Sequence, residues 1–255
     1  MPPATADETS KAPRFLAAGD TAVVVEFGTV VDRAINRRVT SLGRALRAAE
    51  MAGIVDLVPT FRSLMVHYDP TVVRRAAIED KVNALLPDLS DEATGGRLWR
   101  VPTLYGGEYG PDLADVAERT GMTPEKVVEI HSGGTYECYM MGFMPGLGYL
   151  GILPDELALP RRTEPRVRVP GGSVSIATNL TNIYTKESPG GWHLLGRTPI
   201  ELFDLRRDEP ILLNAGDSVQ FYEIDEATYR EMRARADEGD PVIEPQEIDQ
   251  AGDGA

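Results

Sequence analysis

The chain has 255 residues, of which 42% are hydrophobic and 26% charged, a composition typical of one large or two small globular domains. No apolar run approaches the roughly 18 residues that span a bilayer, and the N-terminus lacks the pattern of a signal peptide. The net charge is −14, and residues 223–255 alone carry 11 acidic residues and 3 arginines. We therefore expect neither a membrane nor a nucleic-acid partner, because this charge repels phosphate backbones. The single cysteine, Cys138, excludes an internal disulfide and indicates a cytoplasmic protein.

The first third of the chain predicts a small α/β subdomain. Three segments rich in β-branched residues between turn signals predict strands: 21–27, 54–58 and 63–68. Apolar residues at helical spacing predict a helix over 31–46, with Asp32 in its first turn and Gly53 closing it. A second helix is predicted to bury one apolar face: Val72, Ala76, Val82 and Leu85. The order β-α-β-β-α predicts a ferredoxin-like subdomain over residues 13–90.

The rest of the chain predicts a β-rich domain over residues 97–224. Residues 87–96 are polar and turn-rich and predict a linker. A strand over 98–104 is followed by two predicted helices, 111–119 and 124–131, the second with Thr123 as N-cap. Short apolar runs between Pro and Gly over 136–223 predict a barrel or sandwich. Residues 225–255 are predicted to form an acidic surface helix over 226–236 and an unstructured end, and residues 1–12 an unstructured lead.

Residues 131–203 hold an unusual density of glycine, proline and arginine. Glycine and proline weaken regular elements but suit a backbone that turns tightly or approaches a ligand closely. Four arginines occur within eight residues of an acidic chain: Arg161, Arg162, Arg166 and Arg168. Such a group can bind a carboxylate or phosphate through paired hydrogen bonds. The alternative is that glycine and proline shape barrel corners while the arginines pair with acidic residues of the C-terminal tail.

Two nucleotide-binding motifs and a metal site are excluded. Gly146, Gly148 and Gly151 match the spacing G-x-G-x-x-G, but the segment is followed by Ile-Leu-Pro and predicts no helix to present amides to a pyrophosphate. No G-x-x-x-x-G-K-[ST] loop occurs in the sequence. The three histidines are far apart and accompany one cysteine, so no metal ligand set is predicted.

Several long motifs occur together over residues 14–224. They are GFMPGLGYLG, LPRRTEPRVRVPGGSVSIA, SPGGWHLLGRTPIELFD and the upstream segment around Gly110-Pro111-Asp112-Leu113. In this order they resemble the family variously called the 5-oxoprolinase B subunit, allophanate hydrolase subunit 1 and the KipI-type kinase inhibitor. The resemblance implies an α+β fold: a small N-terminal α/β subdomain followed by a cyclophilin-like β-barrel domain.

The resemblance also implies a function. It suggests one component, inactive by itself, of an ATP-dependent 5-oxoprolinase that opens 5-oxo-L-proline to L-glutamate together with a homologous C subunit and an A subunit. An alternative is a component of a biotin-dependent carboxyltransferase that acts on urea or another small amide, although the chain has no biotinyl-lysine motif. A further alternative is an inhibitor of a sensor histidine kinase.

The candidate site residues follow from the motifs and from their chemistry. His131, at a position that fits the family, is a candidate general acid or base, the alternative being a helix-end histidine bonded to carbonyl groups. Arg166 and Arg168 alternate along an extended run, share one face, and are candidates to stabilise developing charge, the alternative being salt bridges at the barrel rim. The candidate substrate-binding residues are Arg161, Ser173, Tyr184, Ser188, Gly190 and Gly191.

Overall fold

The computed structural model describes residues 12–89 and 96–247, and these ranges form two compact units. The predicted linker falls largely outside them, although Leu86–Asp88 form a single 3₁₀ turn. The domain bounds inferred from the sequence remain predictions at this point, because residues 90–95 lie outside the described ranges. Residues 1–11 and 248–255, which were predicted to be unstructured, also lie outside them.

The first unit is a four-stranded antiparallel sheet with two helices. Its elements in chain order are β1 (Arg14–Ala17), β2 (Ala22–Glu26), α1 (Arg33–Ala48), β3 (Ile54–Pro59), β4 (Ser63–Tyr68) and α2 (Arg75–Leu85). The strand order is β1–β2–β4–β3, so β4 lies between the two strands that α1 connects. This arrangement confirms the ferredoxin-like prediction, with β1 occupying the edge beside β2.

The helices of the first unit form where capping and apolar spacing agree. The Asp32 carboxylate accepts a hydrogen bond from the Ile35 N–H at 3.0 Å, so Asp32 is the N-cap of α1 and not part of its first turn. The buried side chains of α1 recur at helical spacing: Ile35, Val39, Leu42 and Leu46. They pack in one core with apolar residues of β2 and β4.

The second unit contains a closed barrel. Its elements are β5 (Arg97–Tyr105), α3 (Leu113–Thr120), α4 (Pro124–Gly133), β6 (Thr135–Met141), β7 (Gly148–Gly151), β8 (Arg166–Val169), β9 (Ser173–Ala177), β10 (Leu180–Ile183), β11 (Ser188–Gly190), β12 (His193–Arg197), β13 (Ser218–Glu223), α5 (Glu226–Asp237) and β14 (Gln246–Glu247). Seven strands close in the order β12–β9–β10–β7–β6–β13–β5, and β5 pairs back with β12. The predicted α+β class, an α/β unit followed by a barrel, is thereby confirmed.

Side-chain alternation divides the barrel strands into two faces. Leu150, Val174, Ile176 and Ile183 belong to the core, which also contains side chains of α3 and α4. Their neighbours along β9 and β10, Ser173, Ser175 and Asn182, therefore point to the outer face of these strands. The strands β8 and β11 form a separate antiparallel ribbon. The outer polar side chains and this ribbon supply the candidate functional site.

Several sequence predictions are corrected by the structure. The strands β1 and β14 were not predicted, and β14 lies in a segment expected to be unstructured. Helix α1 ends at Ala48, five residues before Gly53, which lies in the turn before β3. The buried face of α2 is formed by Ile78 and Val82, whereas Val72 is 59% exposed. Thr123 is confirmed as the N-cap of α4, since its hydroxyl accepts from the Lys126 N–H at 3.3 Å.

Candidate functional site

A buried carboxylate, Asp112, organises two of the arginines. Asp112 is 3% exposed and directly precedes α3. Its Oδ1 accepts hydrogen bonds from Arg162 Nη1 at 3.0 Å and from Arg166 Nη2 at 2.6 Å. Its Oδ2 accepts from the backbone N–H of Leu194 at 2.7 Å, which fixes the carboxylate against β12. Because two guanidinium groups bind one carboxylate, the three side chains together carry one net positive charge, although the chain as a whole is acidic.

The arginine donors are only partly used by Asp112. Arg166 Nη1 and Arg162 Nε are buried and make no hydrogen bond within the described part of the chain. Arg166 lies opposite Gly190 in the β8–β11 ribbon, and the Arg162 N–H donates to the Gly191 carbonyl at 2.8 Å. The structure thus places Arg166 beside Gly190 and Arg162 beside Gly191.

Aromatic side chains adjoin these arginines. The Arg161 guanidinium carbon lies 5.8 Å from the ring centroid of Trp192, which is 5% exposed. Tyr184 is 3% exposed, and a Cβ built on Gly190 would lie 2.3 Å from its hydroxyl oxygen. Burial raises the pKa of Tyr184, while the positive charges of Arg161 and Arg166 oppose that rise. Tyr184 is therefore a protonated phenol held beside both arginines, and only glycine fits at position 190.

The two predicted serines are linked to this group through the backbone, Ser173 by pairing with Tyr184 and Ser188 by lying two residues before Gly190 in β11. Ser173 is fully buried, and its carbonyl accepts the Tyr184 N–H at 2.9 Å. The hydroxyls of Ser173 and Ser188 make no hydrogen bond among the described residues. Buried hydroxyls without a hydrogen-bond partner are uncommon in folded proteins. We call Arg161, Arg166, Ser173, Tyr184, Ser188 and Gly190 the arginine site.

Two predicted catalytic residues are not brought to the arginine site. Arg168 is 76% exposed and makes a bidentate ion pair with Glu187, with donor–acceptor distances of 3.0 and 2.9 Å. This ion pair is the rim salt bridge that the sequence left open as the alternative. Although Arg166 and Arg168 alternate on one strand, the two side chains have different partners.

His131 lies in the barrel core with both ring nitrogens hydrogen-bonded. Its Nε2 is 3.0 Å from Thr181 Oγ1, and its Nδ1 is 2.8 Å from the Tyr105 hydroxyl. Because the Thr181 hydroxyl donates to the Ser175 carbonyl, it accepts from Nε2–H, and Nδ1 accepts from Tyr105. Burial lowers the pKa of His131 to about 3, so the ring is neutral. None of its hydrogen-bond or ring partners belongs to the arginine site.

Asp112 was missed as a contributor to this cluster, and Arg162 was recognised only as one of the four arginines and not as a candidate site residue. Asp112 appeared in the sequence only within a resemblance motif, and 50 residues separate it from Arg162. No periodicity within one element signals such a long-range ion pair. The glycine spacing at 146–151 forms a turn and strand β7, as expected from the absence of a helix signal.

The described ranges contain neither a metal-ligand cluster nor a membrane-spanning helix. The residues that the structure describes contain no group of three or more His, Cys, Asp or Glu side chains arranged to hold a metal ion. Among the helices in 12–89 and 96–247, none has the length and apolar character needed to cross a bilayer.

The fold and the site define the class of this protein. It is a two-unit α+β chain whose barrel unit groups Arg162 and Arg166 around the buried carboxylate of Asp112. The family model described as carboxyltransferase domain, subdomain C and D, matches residues 13–213. The chain belongs to this family, and the resemblance drawn from its motifs is confirmed.

Named relatives are similar over most of their length. The chain is 36% identical to the 5-oxoprolinase B subunit of Bacillus subtilis (strain 168), over 83% of this chain and 92% of the relative. It is 42% identical to the 5-oxoprolinase B subunit of Escherichia coli O157:H7, over 80% of this chain and 92% of the relative.

Two solved structures have similar folds. TTHA0988 is 37% identical with a TM-score of 0.72, and the match covers 80% of this chain but only 40% of that longer chain. The Kluyveromyces lactis urea amidolyase is 20% identical with a TM-score of 0.77, and the match covers 94% of this chain and 17% of that one. At this identity the urea amidolyase demonstrates the common fold alone.

Proposed function

We propose that this chain is the B subunit of an ATP-dependent 5-oxoprolinase, a complex that opens 5-oxo-L-proline to L-glutamate. The observation that carries the proposal is the 36–42% identity to relatives named as the B subunit of 5-oxoprolinase, over almost their full length. The arginine site supports it, because 5-oxo-L-proline is a small ring that carries a carboxylate. Its partners are a homologous C subunit and an A subunit, in the cytoplasm, and this chain is inactive alone.

In this proposal the chain binds and orients the lactam. Arg161 and Arg166 offer positively charged donors to the substrate carboxylate, and the protonated Tyr184 hydroxyl offers a neutral donor beside them. Trp192 forms an apolar wall under Arg161. Holding the ring at two points fixes the position of the amide bond that must be cleaved, which is the contribution of orientation to the rate.

His131 has a different role in this proposal from the one its sequence position suggested. A neutral imidazole with both nitrogens engaged stabilises the packing of α4 against β10 through Thr181. Since β10 leads directly into Tyr184, His131 acts on the arginine site through the position of that strand. We therefore propose it as a positioning residue and not as the general acid or base.

Within the described residues, the segment whose glycine spacing matches a nucleotide-binding motif does not fit ATP. Residues 146–151 form a turn and β7, so they supply no helix N-terminus for a polyphosphate. The arginine site has donors for one small anionic group. We therefore place ATP elsewhere in the assembled complex and route no step of this chain through it.

The test is ATP-dependent formation of L-glutamate from 5-oxo-L-proline by the co-expressed complex, with this chain present or omitted. We expect the complex to form L-glutamate, and we expect this activity to disappear when this chain is omitted. Arg166→Ala should strongly reduce it. His131→Ala is expected to lower the activity of the folded complex through the position of β10, without changing the pH profile of that activity. An assembled complex that forms no L-glutamate, or one equally active without this chain, would contradict the proposal.

A second candidate is a carboxyltransferase component of a biotin-dependent urea or amide carboxylase. It is favoured by 25% identity to a putative urea carboxylase of Emericella nidulans, over 85% of this chain and 21% of that longer protein. Biotin would then be supplied by a separate carrier. Transfer of a carboxyl group from carboxybiotin to urea, without lactam opening, would favour this candidate. Failure to assemble with either set of partners would favour the inhibitor of a sensor histidine kinase.

A further inference from the structure

The arginines around Asp112 carry more positive charge than this one carboxylate neutralises. Arg162 and Arg166 both bind this one buried carboxylate, and Arg161, beside Trp192, makes no ion pair among the described residues. An acidic chain with net charge −14 has many carboxylates to offer these arginines. That the folded chain leaves the positive charge uncompensated here indicates a negatively charged ligand.

The two terminal nitrogens of the Arg166 guanidinium have different surroundings. Its Nη2 donates to Asp112 Oδ1 at 2.6 Å, whereas its Nη1 is buried and unpaired within 12–89 and 96–247. Because guanidinium is planar, fixing one terminal nitrogen restricts the direction of the other. Asp112 is itself fixed by the Leu194 N–H at 2.7 Å. The direction of Arg166 Nη1 is thus set from β12 through Asp112.

We infer that Asp112 is a positioning residue that holds Arg166 so that its free Nη1, together with Arg161, binds a carboxylate attached to a small ring amide. This inference rests on the proposed function for the identity of the ring amide. The anion-binding role of Arg166 depends only on the geometry. Asp112 does not touch the ligand in this arrangement, and the specificity for a charged over an uncharged lactam comes from Arg166 and Arg161.

The experiment compares two ligands that differ in one group. 5-Oxo-L-proline and 2-pyrrolidinone share the lactam ring, and only the former has a carboxylate. The assembled complex is titrated calorimetrically with each ligand, and KM and kcat are measured for 5-oxo-L-proline. The variants are Arg166→Gln, Arg161→Gln and Asp112→Asn, and the matched control is Arg168→Gln, because Arg168 lies on the same strand but pairs with Glu187.

We expect Arg166→Gln to raise the Kd and KM for 5-oxo-L-proline by about 10- to 100-fold, the range for one charge-assisted hydrogen bond. We expect Asp112→Asn to raise them by about 10-fold, since Arg166 loses its fixed direction, with kcat changed far less than KM. Neither variant should alter the binding of 2-pyrrolidinone. If Asp112 and Arg166 had a purely structural role, their substitution would weaken the binding of both ligands or of neither. Arg161→Gln, which leaves Asp112 paired, gives the same comparison if Arg166→Gln does not fold.

Several outcomes would overturn the inference. The inference fails if Arg166→Gln raises the Kd for 5-oxo-L-proline no more than Arg168→Gln does. It also fails if Arg166→Gln weakens the binding of 5-oxo-L-proline and of 2-pyrrolidinone equally. If the complex is inactive, the proposed function fails, and titration with 5-oxo-L-proline and with inorganic phosphate still decides the site. Binding of 5-oxo-L-proline that depends on Arg166 would then support the carboxylate site. Binding of phosphate alone, or of neither probe, would refute it.

Discussion

The buried His131 predicts a specific loss of stability in mild acid. Its pKa is about 3 in the folded chain and 6.5 in an unfolded one, so between these values only the unfolded chain binds the proton. The free energy of unfolding therefore falls as the pH drops below 6.5. Linkage over this interval gives a loss of about 2 kcal/mol at pH 5 relative to neutral pH.

The assay is urea unfolding followed by tryptophan fluorescence at about pH 5 to 7.5, the interval in which the unfolded chain takes up the proton. Both tryptophans, Trp99 and Trp192, lie in the barrel unit, so the signal reports on the unit that contains His131. His131→Gln removes the titrating group and leaves the Tyr105 hydroxyl without its acceptor, which costs about 1–3 kcal/mol at neutral pH. We expect the free energy of unfolding of the parent chain, relative to that of the variant, to fall by about 2 kcal/mol between neutral pH and pH 5.

A control variant and one contradicting result test this explanation of the acid sensitivity. The matched control is His67→Gln, because His67 lies in the first unit and should leave the fluorescence-detected transition unchanged at each pH. A difference between the parent chain and His131→Gln that stays constant over the whole pH interval would refute the reasoning. It would mean that the ring is protonated in the folded barrel, or that the hydrogen bonds to Tyr105 and Thr181 accommodate the imidazolium.

The remaining predictions concern packing and buried charge. Gly190→Ala places a methyl group 2.3 Å from the Tyr184 hydroxyl and should lower the free energy of unfolding by about 1–3 kcal/mol, whereas Gly191→Ala, whose nearest contact is at 3.7 Å, should change it by less than about 0.5 kcal/mol. Equal effects in urea unfolding would contradict the close approach at Gly190. Asp217→Ala removes the acceptor for two donors of β5, the Trp99 indole N–H at 2.9 Å and the Arg97 backbone N–H at 3.0 Å, so we expect the free energy of unfolding to fall by about 2–4 kcal/mol. A loss below about 1 kcal/mol, similar to that of an exposed substitution, would show that Asp217 does not anchor β5.

The secondary structure was largely predictable where local signals and burial agree. Helix α1 has both a capping aspartate and a complete apolar stripe, and β4 alternates buried and half-buried residues over its whole length. The missed strands β1 and β14 are short, and β1 is mostly exposed, so they have little apolar pattern of their own. Such strands exist because a neighbour offers unpaired backbone groups: β2 for β1, and β5 for β14. Pairing of this kind is a property of the fold and not of the segment.

The members of the arginine site could be named from the amino-acid sequence. It indicated that residues 161–168 hold an excess of donors for an anion, and that Tyr184, Ser188 and Gly190 accompany them. Only the tertiary structure decided which donors are available. Arg166 and Arg168 are equivalent by alternation, but Asp112 orients the first and Glu187 pairs with the second. The physical reason is that ion pairing depends on distance through space, and folding brings Asp112 to within hydrogen-bond reach of arginines some 50 residues away.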